Sequence, residues 1–151
     1  MITVQSVDER GAVGGVEGLA FGVLVFVFGL LLVANAWGVI DAKMATTTAA
    51  REAARSYVEA TSEAAGSADA TYAAALSMRG HNRVVTSMSV RGAVSGDAYR
   101  RCQPVVARVS TTVDRVPLPL LRRKAGNYTV TSAHSEVVDP YRSGITGSAA
   151  C

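Results

Sequence analysis

Residues 10–43, RGAVGGVEGLAFGVLVFVFGLLLVANAWGVIDAK, decide the fold, because a long apolar run lies here between two charged ends. The 23 residues from Gly18 to Ile40 contain no Asp, Glu, Lys, Arg or His. A helix of that length is about 34 Å long, which is enough to cross a hydrocarbon core about 30 Å thick. The run therefore predicts one membrane-spanning helix, with the carboxylate of Glu17 at its threshold.

A secretory signal peptide is the competing interpretation of an apolar segment near the N-terminus. Signal peptides have an apolar region of only about 7–15 residues after a positively charged leader. Here the run is longer, and the leader carries Asp8 and Glu9 against Arg10. No small-x-small cleavage site follows the run, so a retained anchor is favoured.

The charges that flank the run leave its orientation open. Arg10 precedes it, whereas Lys43, Arg51 and Arg55 follow it. A simple count of positive charges would place the C-terminal side in the cytoplasm. Long domains are translocated regardless of such charges, so the count does not decide the matter.

The residues after the run predict that the helix continues. The segment 41–65 is rich in Ala, Glu, Arg and Lys, and neither Gly nor Pro interrupts it before Gly66. We therefore expect one rod from Val16 to Ala65, with a stripe of small side chains for packing. A shorter helix is expected over 68–79, capped by Ser67.

From there the sequence favours strands. Val105, Ala107, Val109, Thr111 and Val113 alternate with mostly polar residues, as in a strand with one buried face. Weaker Val- and Thr-rich segments at 83–90 and 127–138 flank it. The predicted fold class is α+β, with the helix covering a small antiparallel sheet of about three strands. The tail, 140–151, is expected to be poorly ordered unless Cys151 tethers it.

The residue types for catalysis or metal binding are not clustered in the sequence. His81 and His134 are far apart and lack ligand-like neighbours, so we expect neither a metal site nor a cofactor. No serine or carboxylate pair stands in a catalytic pattern, so an enzyme is not expected. Cys102 and Cys151 are either two thiols or, on the oxidising side of a membrane, a disulfide.

The region from Gly66 onward is basic, with eleven Lys and Arg residues against five Asp and Glu. Nucleic-acid binding is disfavoured, because no aromatic residues interleave the arginines to stack on bases. A weaker hypothesis is polyanion contact by the basic doublet and triplet in the predicted loops, namely Arg100, Arg101, Arg122, Arg123 and Lys124.

The N-terminal pattern resembles the TadE-like minor pilins, or pseudopilins, of tight-adherence type IV pili. The resemblance is carried by Arg10–Gly11, a nearby Glu17, the uninterrupted apolar segment and then AAREAARSY. A β-rich remainder follows, in which VDRVPLPLL precedes GNYTVTSAHSEVV. The resemblance implies a pilin-like fold and a role in the assembly or priming of a pilus.

The resemblance also implies a leader, 1–12, that a membrane-embedded prepilin peptidase removes. In the family, four residues separate the junction Gly from Glu, whereas five separate Gly11 from Glu17, and Gly18 replaces the usual aromatic residue. The candidate junction residues are therefore Gly11, Ala12 and Val13. Glu17 would pair with the new amine of a neighbouring subunit during assembly.

The remaining implications concern the domains and their partners. The division is 13–40 for the membrane and assembly helix, 41–65 for its continuation, 66–139 for an extracellular domain and 140–151 for the tail. The N-terminus would be cytoplasmic and the C-terminal domain outside, which favours a Cys102–Cys151 bridge. Partners would be other pilin subunits, the assembly platform and membrane lipid. A membrane scaffold outside any filament, and an adhesin or DNA-uptake pseudopilin, are the alternatives.

Overall fold

A computed structural model describes residues 10–92, 99–116, 126–148 and 150–151, with side chains from Glu17 onward. The long helix α1 is Arg10–Glu59, and a second helix, α2, is Glu63–Gly80. Three strands follow: β1 is Ser87–Gly92, β2 is Pro104–Asp114 and β3 is Asn127–Val137. The predicted α+β class, with a long helix and a three-stranded antiparallel sheet, is confirmed.

The sheet is a meander in the order β1-β2-β3, with antiparallel pairs throughout. In β2, the predicted apolar row is the buried one, with Val105, Ala107 and Val109 at 0% exposure. The register places His134 opposite Ala107 and Ser132 opposite Val109, so these residues of β3 lie on the same face. That face is the one that α1 covers.

The second half of α1 packs on the sheet through its alanines. All six alanines of this half, from Ala42 to Ala54, are buried. Because a methyl group is the only side chain to be accommodated, the helix axis lies close to the strands. The expected stripe of small side chains is therefore the interior surface of the helix.

The threonines in the middle of α1 do not interrupt it. Thr46, Thr47 and Thr48 each donate a hydroxyl hydrogen bond to the carbonyl four residues earlier, at 2.9, 2.7 and 3.1 Å. Thr46 and Thr47 also lie within hydrogen-bond distance of Ser132 Oγ, at 2.8 and 3.0 Å. These hydroxyls give the helix a polar attachment to β3, as buried polar groups require.

The predicted single rod to Ala65 is wrong, because α1 ends at Glu59 and α2 begins at Glu63. Ser62, rather than Ser67, is the N-cap of α2, and its hydroxyl accepts a hydrogen bond from the Ala65 N–H. The predicted start of α2 at residue 68 was therefore five residues late. Helix α1 also begins earlier than expected, at Arg10 rather than Val16.

The first predicted strand, 83–90, was placed too early, since β1 is Ser87–Gly92. Within residues 83–86, the Thr86 N–H already donates to the Ser110 carbonyl of β2 at 2.9 Å. Arg83 instead donates to Asp41 from Nε and Nη2, at 2.9 and 2.7 Å, and to the Gly38 carbonyl at 3.1 Å. At Arg83, side-chain bonds to α1 therefore replace the strand ladder, and they hold the segment after α2 against the middle of the long helix.

Gly66, expected to interrupt the helical sequence, lies within α2 where this helix packs closely against the end of α1. A Cβ added at Gly66 would lie 2.9 Å from the Tyr57 carbonyl oxygen and 3.3 Å from Ala60 Cβ. The residues at the next turns on the same face, Ala70, Ala74 and Met78, are fully buried. The absence of a side chain therefore allows the two helices to touch at the start of their hairpin.

We predict that Gly66→Ala lowers the free energy of unfolding by about 1–3 kcal/mol, although Ala is the better helix former. The cause is the collision of the new methyl group with backbone, which cannot move aside as a side chain can. Thermal unfolding of the full chain in detergent, followed by circular dichroism, measures the change. Gly80→Ala is the control, because nothing lies within 4 Å of a Cβ there. Equal stability of Gly66→Ala and the parent would contradict the close approach.

Candidate membrane and assembly helix

The apolar run of α1 is covered by other described elements only at its last turns, near Asn35 and Gly38. Twelve large apolar side chains between Leu19 and Ile40 are 43–70% exposed. Five of them, residues 23–27, are consecutive and so span more than one full turn, which leaves no face of the helix shielded. A helix that is apolar all round is stable only in lipid or among other helices.

This helix is the one helix, among the described residues, that is long and apolar enough to cross a membrane. Its most apolar window is not buried at all within the chain. The core helix of a soluble domain would instead be covered by its own fold. The structure is therefore compatible with single-pass membrane anchoring.

Small residues follow one face of this exposed half. At about 100° per residue, Gly22, Gly29 and Ala36 are seven residues apart and lie within about 40° of one another. Gly18 joins them, whereas Ala34 projects from a different face. A Cβ at Gly18, Gly22 or Gly29 would meet no atom within 4 Å. This face has the close-approach geometry of helix pairs in membranes.

Glu17 is exposed and lies at the threshold of the apolar segment, as predicted. The candidate junction residues Gly11, Ala12 and Val13 lie in the helical backbone of α1, and their side chains are outside the described set. Val13 is four residues before Glu17, which is about 6 Å along a helix. An amine at residue 13 would therefore lie about one turn from the carboxylate.

The other end of α1 is enclosed by groups from distant parts of the chain. The Tyr99 hydroxyl lies 3.1 Å from the Tyr57 and Val58 carbonyl oxygens and 2.7 Å from that of Ala60. The Arg142 guanidinium donates to the Val58 carbonyl at 2.8 Å and also to that of Glu59. The last carbonyls of a helix lack intrahelical partners, so these two side chains serve as its C-terminal cap.

The tail that carries Arg142 is attached to the domain at several points. The Arg101 N–H donates to the Thr146 carbonyl at 2.9 Å, and Arg101 Nε donates to the Arg142 carbonyl at 2.8 Å. Ile145 is buried in the core. Cys102 and Cys151 lie at disulfide distance, with an S–S separation of 2.02 Å. The tether proposed for the tail therefore matches the positions of the two cysteines.

The basic residues predicted to contact polyanions are only partly described. Arg122, Arg123 and Lys124 lie outside the described residues. Arg101 is half-buried and holds the tail, as given above, whereas Arg100 is exposed. The described residues therefore do not assemble the predicted set into one surface.

Histidine and metal-ligating residues do not converge among the residues that the structure describes. His134 lies in β3, as predicted, with Nε2 3.0 Å from Glu136 Oε1. No group of three or more His, Cys, Asp or Glu residues that could hold a metal is found in those residues. The polar groups near α1 therefore have structural partners that the fold itself explains.

The stability that the cap gives to the end of α1 depends on pH. Burial raises the pKa of the Tyr99 hydroxyl, partly offset by the positive charge of Arg142, and burial likewise raises the pKa of Tyr57. A raised pKa means that the folded chain disfavours the phenolate. The cap is therefore intact below the ordinary tyrosine pKa of about 10, and stability falls as the pH rises above that value.

The sequence pattern does not predict these cap residues. Tyr99 and Arg142 are 42 and 84 residues from the carbonyls of Tyr57 and Val58 that they contact. No local spacing in the sequence signals such pairings. A Ser-Glu pair at 62–63 was the available signal for the helix break, because Ser is a preferred N-cap and an acid favours the first turn.

No family model, curated protein or solved structure matches this chain. The resemblance to TadE-like pilins therefore stays a prediction from the sequence.

We predict that Tyr99→Phe lowers the free energy of unfolding by about 1–3 kcal/mol, because the carbonyls at the end of α1 lose a buried donor. The variant should also lose less stability than the parent between neutral pH and pH values above about 10. Denaturant unfolding in detergent at both pH values measures this. Tyr72→Phe is the matched control, since Tyr72 is 69% exposed. Equal losses in the two variants would contradict the cap.

Proposed function

We propose that this chain is a TadE-like minor pilin, anchored in the membrane before assembly and then incorporated into, or priming, a tight-adherence pilus. The observation that carries the proposal is the division of α1 into two halves. The half from Gly18 to Ile40 is largely exposed, with the sheet reaching only its last turns, whereas the half from Ala42 to Glu59 carries a sheet and a second helix. A subunit of a helical filament needs such a division, since the exposed half packs against its copies or relatives.

The exposed half suits two successive environments. Before assembly, lipid covers its apolar surface, and a helix of this length matches the bilayer. During assembly, other apolar helices replace the lipid, and the face formed by Gly22, Gly29 and Ala36 lets their backbones approach. The same surface therefore serves first as an anchor and then as an interface.

In this proposal, Glu17 sets the axial offset between neighbouring subunits. A carboxylate at the edge of hydrocarbon is costly unless an opposite charge accompanies it. Removal of a leader at Gly11, Ala12 or Val13 creates a new N-terminal amine. If a neighbouring subunit is displaced along the filament axis by about one helical turn, its amine lies beside Glu17. The pair forms at one axial offset and is lost at others, so it selects how subunits stack.

The orientation follows from the same proposal. The N-terminus is cytoplasmic, where the prepilin peptidase and the assembly platform act on it, and the sheet lies outside. An oxidising exterior maintains a Cys102–Cys151 disulfide. The partners in this proposal are other pilin subunits, the peptidase, the assembly platform and membrane lipid.

The test is the N-terminal sequence and intact mass of the chain from cells with and without the prepilin peptidase. We expect a new N-terminus at Ala12 or Val13 only where the peptidase is present. A Met1 start in both strains would contradict the pilin proposal and favour a membrane scaffold.

The same cells test the role of Glu17. We expect Glu17→Gln to be processed and inserted normally but to lose cross-linking to other subunits, because only the charge is removed. Glu52→Gln is the control, since Glu52 is an exposed acid on the covered half of the same helix. Unchanged piliation and cross-linking in Glu17→Gln would overturn the pairing.

A further inference from the structure

One end of the sheet lies beside the apolar run rather than beyond it. The Val116 N–H donates to Asn35 Oδ1 at 3.0 Å. A Cβ on Gly38 would lie 3.4 Å from Val113 Cγ1. Asn35 and Gly38 both belong to the uncharged run 18–40, so the end of the β2–β3 hairpin overlaps the last two turns of that run.

This overlap restricts how deeply the helix is immersed. If all residues to Ile40 lay in hydrocarbon, Asn35 would be about 7–8 Å below the boundary, at 1.5 Å per residue. Arg115 and the backbone at Val116 would then be immersed with it. A charged residue at the centre of a bilayer costs about 2.5–3.5 kcal/mol even on the lowest scale, so immersion part of the way is also unfavourable. The boundary is therefore favoured at the level of the sheet end.

The length of the remaining segment agrees with that boundary. Residues 18–34 form a helix about 25 Å long, which is at the short end of the range for a single span. The Asn35 amide does not require water, since Nδ2 donates to the Leu31 carbonyl at 2.9 Å and Oδ1 accepts from Val116. Asn35 can thus lie where the hydrocarbon ends and still be satisfied.

The side chains at this level have the chemistry of a membrane interface. Trp37 is 69% exposed and Tyr128 is 41% exposed, and such amphipathic rings concentrate at headgroup depth. The Arg115 guanidinium carbon lies 3.9 Å from the Tyr128 ring centroid. Stacking occupies the flat face of a guanidinium, whereas phosphate oxygens are bound at its N–H edge. Of the acids near this level, Asp41 is paired with Arg83, and Asp114 is the exposed last residue of β2.

We propose that the end of the sheet formed by Arg115, Val116 and Tyr128 rests on the bilayer surface, where Arg115 binds the phosphate of an anionic lipid headgroup. Trp37 marks the same depth on the other side of α1. The domain is thereby held at a fixed height and rotation about its anchor. The inference rests on the membrane anchoring in the proposed function, and it does not depend on pilus assembly.

The chain carries its own probe for this proposal, because Trp37 is its single tryptophan. The full chain is reconstituted in vesicles of phosphatidylcholine and phosphatidylglycerol. Three versions are compared: the parent, Trp37→Phe with Tyr128→Trp, and Trp37→Phe with Tyr72→Trp. Tyr72 is exposed on α2 and serves as the control away from the proposed surface. Fluorescence is quenched with lipids brominated near the headgroup, with lipids brominated near the acyl terminus, and with aqueous iodide.

We expect the parent and the Tyr128→Trp version to be quenched most by bromine near the headgroup, and the Tyr72→Trp version to be quenched by iodide alone. Quenching of the Tyr128→Trp version by iodide alone, with Trp37 still quenched by lipid, would overturn the docking but leave the anchor. Trp37 unaffected by any brominated lipid would overturn the anchor itself. Circular dichroism checks that each version is folded, and Trp retains the cation–π contact with Arg115.

A second arm tests the lipid class. The Tyr128→Trp version is used to measure a quenching ratio. This is the quenching by brominated phosphatidylglycerol divided by the quenching by brominated phosphatidylcholine, each at the same mole fraction of brominated lipid. We expect this ratio to exceed one and to fall in Arg115→Gln, since the phosphate contact of this guanidinium is lost with its charge. Arg108→Gln is the matched control, an exposed arginine in the middle of β2. A ratio that is unchanged in Arg115→Gln, or that falls equally in Arg108→Gln, would overturn the role of Arg115.

Discussion

The exposed apolar surface between Gly18 and Ile40 is the constraint on which the rest of the structure depends. Side chains as large as Phe21 and Phe26 are 69% and 65% exposed, and no described element of the chain reaches them. At about 25 cal/mol per Å² of apolar surface, such a helix is strongly driven out of water. The chain is therefore incomplete by itself and requires lipid or other helices.

The second half of α1, in contrast, is covered by the rest of the described chain. Its alanines are buried under α2 and the sheet, so a close contact replaces the bulky apolar surface of the first half. The end of this half is capped by Tyr99 and Arg142, and its middle is attached to Ser132 through threonine hydroxyls. A domain is thus built directly on the continuation of the apolar half, with no linker between them.

The sequence predicted the elements whose signal is local. An uncharged run of 23 residues and the alternation from Val105 to Val113 each identify one element, because each depends on neighbouring residues alone. The predicted boundaries of α1 and α2 are wrong because the break lies at the Ser62 cap, whereas Gly66 lies inside α2 and provides a close contact between the two helices. Contacts such as Asn35 to Val116 join residues 81 apart, and no periodicity reveals them. The roles of Glu17 and the junction residues remain predictions.

The most direct measurement of the central claim is photo-crosslinking from Phe26 in living cells, with a benzophenone amino acid replacing that residue. The account predicts products with lipid acyl chains and with the apolar helices of other membrane subunits, identified by mass spectrometry. A benzophenone at Tyr57, which is 5% exposed, should react only within the chain. Products that join position 26 to the sheet or to α2 of the same chain would contradict the account, because the apolar half would then be covered by its own fold.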